Sequence, residues 1–220
     1  MSAGLLETIR VRRGRMPFLD RHLARLRAAT AATGGRRPAA DLEARLLAHG
    51  AAGERVVRLV VDAQGEHVTT RDVPGRDLAD AVIASAPHEP YSFKSTERGV
   101  FERALDEAAA RGAAEAILLT PDGWIAEGCV STVFFWKRGA LCTPALELGI
   151  LPGVGRARVL ELAAAMHLAV EQGRCRAPGL EAAAGFLVNA VRGVSELRSL
   201  DGRPLPRDPR TAALAEAFWP

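Results

Sequence analysis

Lysine is scarce in this 220-residue chain: of its 29 basic residues, only Lys94 and Lys137 are lysine. Tyrosine occurs once, cysteine three times, and aromatic residues make up 5%. No uninterrupted apolar run approaches the roughly 18 residues of a membrane-spanning helix. The opening Met-Ser-Ala-Gly-Leu-Leu-Glu-Thr has neither a basic leader nor a signal-type apolar run, so a cytoplasmic location and no membrane partner are expected. Cys129, Cys142 and Cys175 match no common zinc spacing, and their odd number fits poorly with a disulfide framework. They are expected to be reduced, and no metal is expected. The formal net charge is +3, with arginines and acids interspersed. Without a basic stripe carrying interleaved aromatics, no nucleic-acid partner is expected.

What is present reads as an ordinary folded chain, with 48% hydrophobic and 25% charged residues. The two lysines then stand out. Arginine substitutes for lysine in most surface roles, but its guanidinium stays protonated and can neither form an imine nor act as a base near neutral pH. Lys137 lies in Trp136-Lys137-Arg138-Gly139, a hairpin turn where a solvated charge is ordinary. Lys94 has no such setting. Composition alone leaves it equally open as a chemical centre or an accidental surface residue.

The pattern along the chain predicts strands at 5–11 and 16–19, a helix capped by Asp20 and ended by Gly34-Gly35, a second helix at 41–49, and a hairpin of 55–61 and 67–73. A short strand at 81–84 precedes residues 87–92, whose two prolines and lack of periodicity suggest a linker. Beyond it come a helix at 98–111, strands at 116–120, 124–126 and 130–136, a helix at 154–166, a strand at 185–189 and a closing helix at 211–218. The expected organisation is α+β: an N-terminal lobe (1–86), the linker (87–92) and a C-terminal lobe (93–220).

Four separated segments share one explanation: His22-Leu23-Ala24-Arg25-Leu26, Lys94-Ser95-Thr96-Glu97-Arg98, Glu127-Gly128 before a strand, and Gly149-Ile150-Leu151-Pro152-Gly153-Val154-Gly155-Arg156. With Glu7-Thr8 and Thr143-Pro144, they resemble the class IV aminotransferase family, in order and over nearly the whole chain. The resemblance implies a two-lobed fold of the D-amino acid aminotransferase type with pyridoxal 5'-phosphate in the cleft between lobes, and a homodimer. It implies that Lys94 binds the cofactor aldehyde and moves protons, and that Glu127 pairs with the ring nitrogen. It further implies that Arg25 meets the phosphate together with the helix start at Val154 and Gly155. Many members carry threonine at the position of Gly155, so restoring that hydroxyl is expected to tighten cofactor binding.

The stretch Asn189-Ala190-Val191-Arg192-Gly193 and the form Lys94-Ser95-Thr96-Glu97-Arg98 resemble aminodeoxychorismate lyases. That resemblance adds Asn189 and Ala190 to the cofactor residues. It makes Arg98 and Arg192 candidates for the two carboxylates of 4-amino-4-deoxychorismate, a small-molecule substrate cleaved to 4-aminobenzoate and pyruvate in folate biosynthesis. Two alternatives stay open: an aminotransferase acting on branched-chain or D-amino acids, and a degenerate binding protein without turnover.

Overall fold

The computed structural model describes residues 3–75, 80–181 and 183–220. They form two compact units, Met1–Gly75 with Ser92–Arg98, and Arg76–Tyr91 with Gly99–Pro220.

The first unit contains β1 (Leu5–Val11), α1 (Leu19–Thr33), α2 (Leu42–Ala48), β2 (Arg55–Val61) and β3 (Glu66–Arg71). Its antiparallel sheet has the order β1-β2-β3, with β1 and β2 paired along their full length from Leu5 opposite Val61 to Val11 opposite Arg55. In α1, Leu19, Leu23, Leu26 and Ala29 recur at helical spacing. They pack with Ile9, Val11, Val57, Leu59 and Val61. Each such leucine contributes roughly 1.5–3 kcal/mol of burial. The helix stops at Gly34, whose φ of 65° is the left-handed conformation glycine adopts without strain.

Two expectations for this region are corrected. Residues 16–19 are not a strand, because Arg12 and Arg15 exchange backbone hydrogen bonds in a tight turn and the helix begins at Leu19. The partner of β1 is instead the distant β2, equal to it in length. The N-cap is Phe18 rather than Asp20, which falls in the first turn and complements the helix dipole there.

The second unit contains β4 (Asp80–Ile83), α3 (Gly99–Ala110), β5 (Glu115–Leu119), β6 (Ile125–Gly128), β7 (Thr132–Lys137) and β8 (Ala140–Pro144). These are followed by α4 (Val154–Ala165), β9 (Val170–Gly173), α5 (Ala177–Glu181), β10 (Gly185–Asn189), β11 (Gly193–Glu196), β12 (Ser199–Leu200), β13 (Arg203–Pro204) and α6 (Pro209–Ala217). Two five-stranded sheets result, ordered β11-β10-β7-β8-β9 and β13-β12-β4-β5-β6. The inner strands read as nearly continuous apolar runs because both faces are covered. Across β10 and β7, Phe186 stands opposite Phe134, and their rings stack at 5.1 Å. The hairpin of β7 and β8 turns through Arg138 and Gly139, both at positive φ, and Lys137 is the exposed last residue of β7, next to the turn its sequence context implies.

The units divide differently from the expected lobes. Strand β4 pairs in parallel with β5, which ties the residues before Tyr91 to the second unit. Ser92–Arg98 returns to the first: the Leu6 amide donates to the Lys94 carbonyl (2.8 Å), and the Thr96 amide donates to the Gly4 carbonyl (2.8 Å). Residues 87–92 are thus not a free linker. The His88 amide donates to the Leu119 carbonyl, and the Tyr91 amide to that of Gly149.

Candidate functional site

In the first unit the candidate chemistry gathers around Glu7. Strand β1 places it on the face covered by α1, where it is 2% exposed. His22 and Arg25, one turn apart on α1, both reach it. The His22 Nδ1 lies 2.6 Å from Glu7 Oε2, and the Arg25 guanidinium donates through Nε to Oε1 (2.8 Å) and through Nη2 to Oε2 (2.6 Å). Burial pushes the Glu7 carboxyl up, but hydrogen bonds from Arg25 and His22, reinforced by their charges, bring it down to about 2. Burial pushes His22 below its usual value, against the pull of Glu7, with Arg25 and Lys94 also opposing its protonation. The consistent state is an ionised Glu7 held by a charged Arg25 and a neutral His22 that donates from Nδ1. His22 Nε2 is buried without a hydrogen-bond partner.

Lys94 is half-buried in the segment that lines up beside β1, with Ser95 opposite Leu5 and the Thr96 hydroxyl accepting from the Gly4 amide (3.0 Å). The preceding Phe93 packs against the first unit's core. The lysine's backbone is therefore pinned on both sides while its side chain stays partly open. Arg98, also half-buried, ends this segment.

In the second unit Glu127 sits on β6, 5% exposed. Its Oε1 accepts from His88 Nε2 (3.0 Å) and, at 3.4 Å, from the Leu151 amide. Leu151 belongs to the loop that leads into α4, so the structure brings Glu127 and the α4 approach together. Gly149 in this loop has φ 73°, and a Cβ there would lie 2.4 Å from the Pro90 Cβ. Only glycine satisfies both conditions.

Helix α4 starts at Val154 after Gly153, and no side chain caps it. Its first-turn amides lack intrahelical acceptors and point toward an anion's natural position. Beside this end stands the close of β10. A Cβ on Gly155 would lie 2.9 Å from the Asn189 carbonyl carbon and 3.0 Å from its Cα. The expectation that threonine would fit at Gly155 is thereby corrected: glycine allows the helix start to approach the backbone of Asn189. Gly155→Thr is expected to lower unfolding stability by about 1–3 kcal/mol through overpacking. An unchanged urea midpoint combined with tighter cofactor binding would refute this.

Asn189 uses its side chain on its own turn. Oδ1 accepts from the Val191 and Arg192 amides (2.9 and 2.8 Å), and Nδ2 donates to the Val130 carbonyl (3.1 Å). That turn buries Ala190 and sets the half-buried Arg192 directly after it.

Two residues carry no mark in the motifs. His88 lies in an aperiodic segment between prolines, where nothing in the sequence signals burial. Glu115 is fully buried on β5 and accepts from the Ser131 hydroxyl (2.8 Å) and the Val130 and Ala116 amides, closing the turn that follows Glu127. Burial pushes its carboxyl up to about 6 despite these bonds. An acid within the otherwise apolar run 113–119 is the available signal. Among the described residues, no group of three or more His, Cys, Asp or Glu could hold a metal ion, and no helix is long and apolar enough to cross a membrane. Cys129, Cys142 and Cys175 are free thiols.

The family model for class IV amino-transferases matches residues 4–200. Over 97% of this chain and 87% of the relative, 27% identity links it to a bifunctional aminodeoxychorismate lyase / D-amino acid transaminase of Mycobacterium tuberculosis. A probable branched-chain-amino-acid aminotransferase of Thermotoga maritima is 37% identical over 48% of this chain, a stretch that spans only 40% of that relative's length. A 4-amino-4-deoxychorismate lyase structure from Pseudomonas aeruginosa superimposes with a TM-score of 0.87 at 26% identity, covering 97% of this chain and 88% of that one. The chain belongs to the class IV aminotransferase family, enzymes that use pyridoxal 5'-phosphate.

Proposed function

We propose that the chain is an aminodeoxychorismate lyase, converting 4-amino-4-deoxychorismate to 4-aminobenzoate and pyruvate. The observation that carries this reading is the turn at the end of β10, where Asn189 caps the Val191 and Arg192 amides and fixes the form Asn-Ala-Val-Arg-Gly beside the α4 start. Similarity along nearly the whole chain to proteins named as lyases supports it.

The residues present fit pyridoxal phosphate. Lys94 is a half-buried amine suited to its aldehyde. Glu127 is a buried carboxylate whose Oε2 has no hydrogen bond among the described residues, which suits the ring nitrogen. Val154 and Gly155 open an uncapped helix suited to its phosphate, and Arg25 adds positive charge. When bound, the cofactor supplies an electron-withdrawing ring that takes up the charge left by proton removal from the substrate. Lys94 removes the proton at the amine-bearing carbon, because an amine can take up and release a proton where a guanidinium cannot. Glu127 would pair with the ring nitrogen through the oxygen that His88 and Leu151 leave open. Arg98 and Arg192 bind the substrate carboxylates. Loss of pyruvate then leaves an aromatic product.

The test is incubation of the purified protein with synthase-generated aminodeoxychorismate and chromatographic detection of 4-aminobenzoate. A second reading, an aminotransferase for branched-chain or D-amino acids, is favoured by the Thermotoga maritima match. It predicts consumption of a 2-oxo acid acceptor and no 4-aminobenzoate. On either reading, Glu127→Gln at saturating cofactor is expected to slow turnover about a hundredfold, roughly 3 kcal/mol in the barrier. Unchanged turnover would remove Glu127 from the site.

A further inference from the structure

His88 is a wholly buried histidine that no part of the proposed chemistry uses. Its side chain is 0% exposed, its Nε2 lies 3.0 Å from Glu127 Oε1, and its Nδ1 is buried without a partner. These facts select a tautomer. A carboxylate accepts, so Nε2 carries the proton and donates. Nδ1 is then a bare lone pair, whereas a second N–H at that position would be buried without an acceptor. The ring's neighbours, Tyr91 at 5.9 Å and Phe101 at 6.5 Å between centroids, fix its plane. The backbone is held equally firmly, because the His88 amide donates to Leu119 at 2.6 Å and Pro90 closes against Gly149.

Both hydrogen bonds to Glu127 land on the same oxygen. The Leu151 amide is long at 3.4 Å, so His88 makes the tighter contact. A carboxylate anchored through one oxygen by a rigid donor loses its rotational freedom and presents the other in a fixed direction. We infer that His88 is a positioning residue, whose Nε2–H holds Glu127 Oε1 so that Oε2 is the oxygen offered to the cofactor's ring nitrogen. This rests on the role proposed for Glu127.

The test compares binding of two ligands to cofactor-stripped protein: pyridoxal phosphate, and its deaza analogue with C–H in place of the ring nitrogen. His88→Phe keeps bulk but removes the donor, and His88→Gln restores an N–H near the position of Nε2. His88→Phe is expected to weaken pyridoxal phosphate about tenfold, the scale of one hydrogen bond to a charged group, with the analogue changed less than about twofold. His88→Gln should recover most of that loss. If His88→Phe does not fold by circular dichroism, His88→Asn, whose amide is too short to reach Glu127, replaces it with the same expectation. Equal weakening of both ligands, or no weakening of either, would overturn the inference. Glu127→Gln, measured alongside, separates the two ideas. If it discriminates between the ligands and the His88 variants do not, only the role of His88 falls. If it does not discriminate, the role of Glu127 falls and that of His88 with it.

Discussion

Replacing Lys94 with alanine is expected to reduce turnover by at least about four orders of magnitude, roughly 5 kcal/mol in the barrier, because no other group supplies its amine. The loss should be chemical rather than structural. Contacts made by backbone and by neighbours hold the segment: the Lys94 carbonyl accepts from Leu6, Thr96 bonds Gly4 twice, and Phe93 packs in the core. Alanine preserves all of these. Lys94→Arg should be no better, since a guanidinium remains protonated and cannot condense with an aldehyde. Borohydride reduction of the protein with bound cofactor, followed by peptide mapping, provides the direct check. A pyridoxyl label should appear on the peptide containing Lys94 and vanish in Lys94→Ala. Label on Lys137, which is exposed at the β7–β8 turn, would refute the assignment.

The second large effect concerns stability and belongs to Glu7. Its carboxylate is buried, accepts from His22 and takes both arms of the Arg25 fork. Glu7→Gln keeps the volume but leaves the Arg25 charge without its buried counter-ion, which is expected to cost about 3–5 kcal/mol. The pH profile carries an independent signature. The folded carboxyl is lowered from 4.5 to about 2, so it binds protons less readily than in the unfolded chain. Its contribution is therefore fully present above pH 4.5 and lost as pH falls toward 2, a span worth about 3 kcal/mol. Urea unfolding of the wild type should weaken across that window, and Glu7→Gln should flatten the same part of the profile. A variant matching the wild type in stability and in acid response would show that the triad contributes nothing net. Because Arg25 is also the proposed phosphate residue, the unfolding measurements belong on cofactor-free protein, where any loss is the triad's own.

Much of the helical framework is legible in the sequence itself. Helix α1 follows from the recurrence of Leu19, Leu23 and Leu26 and from its closing glycine, because such periodicity is a local property of the chain. Strand β10 has the bounds its sequence implies, since an apolar run ending in a polar turn has few other uses. The family resemblance rests on motifs such as Glu127-Gly128 and Leu151-Pro152-Gly153-Val154, which lie within the residues that the family model matches. The spacing of Arg25 from His22 on one helix also implies a shared face.

Residue chemistry and local pattern, acting within a few residues of each position, thus determined the longer helices, though not the short α5, and also which lysine stands out and which family the chain resembles. Only the tertiary structure decided the remainder. It paired β1 with β2, drew Ser92–Arg98 back onto the first unit, and turned the 87–91 segment from an apparent linker into the frame for a buried histidine. It also showed why Gly155 is glycine, through the approach of the Asn189 backbone. Each of these depends on groups dozens of residues apart. Their contact is set by the burial of whole faces and by backbone hydrogen bonds that every sequence can make, so the chain carries no local mark of where those bonds will form.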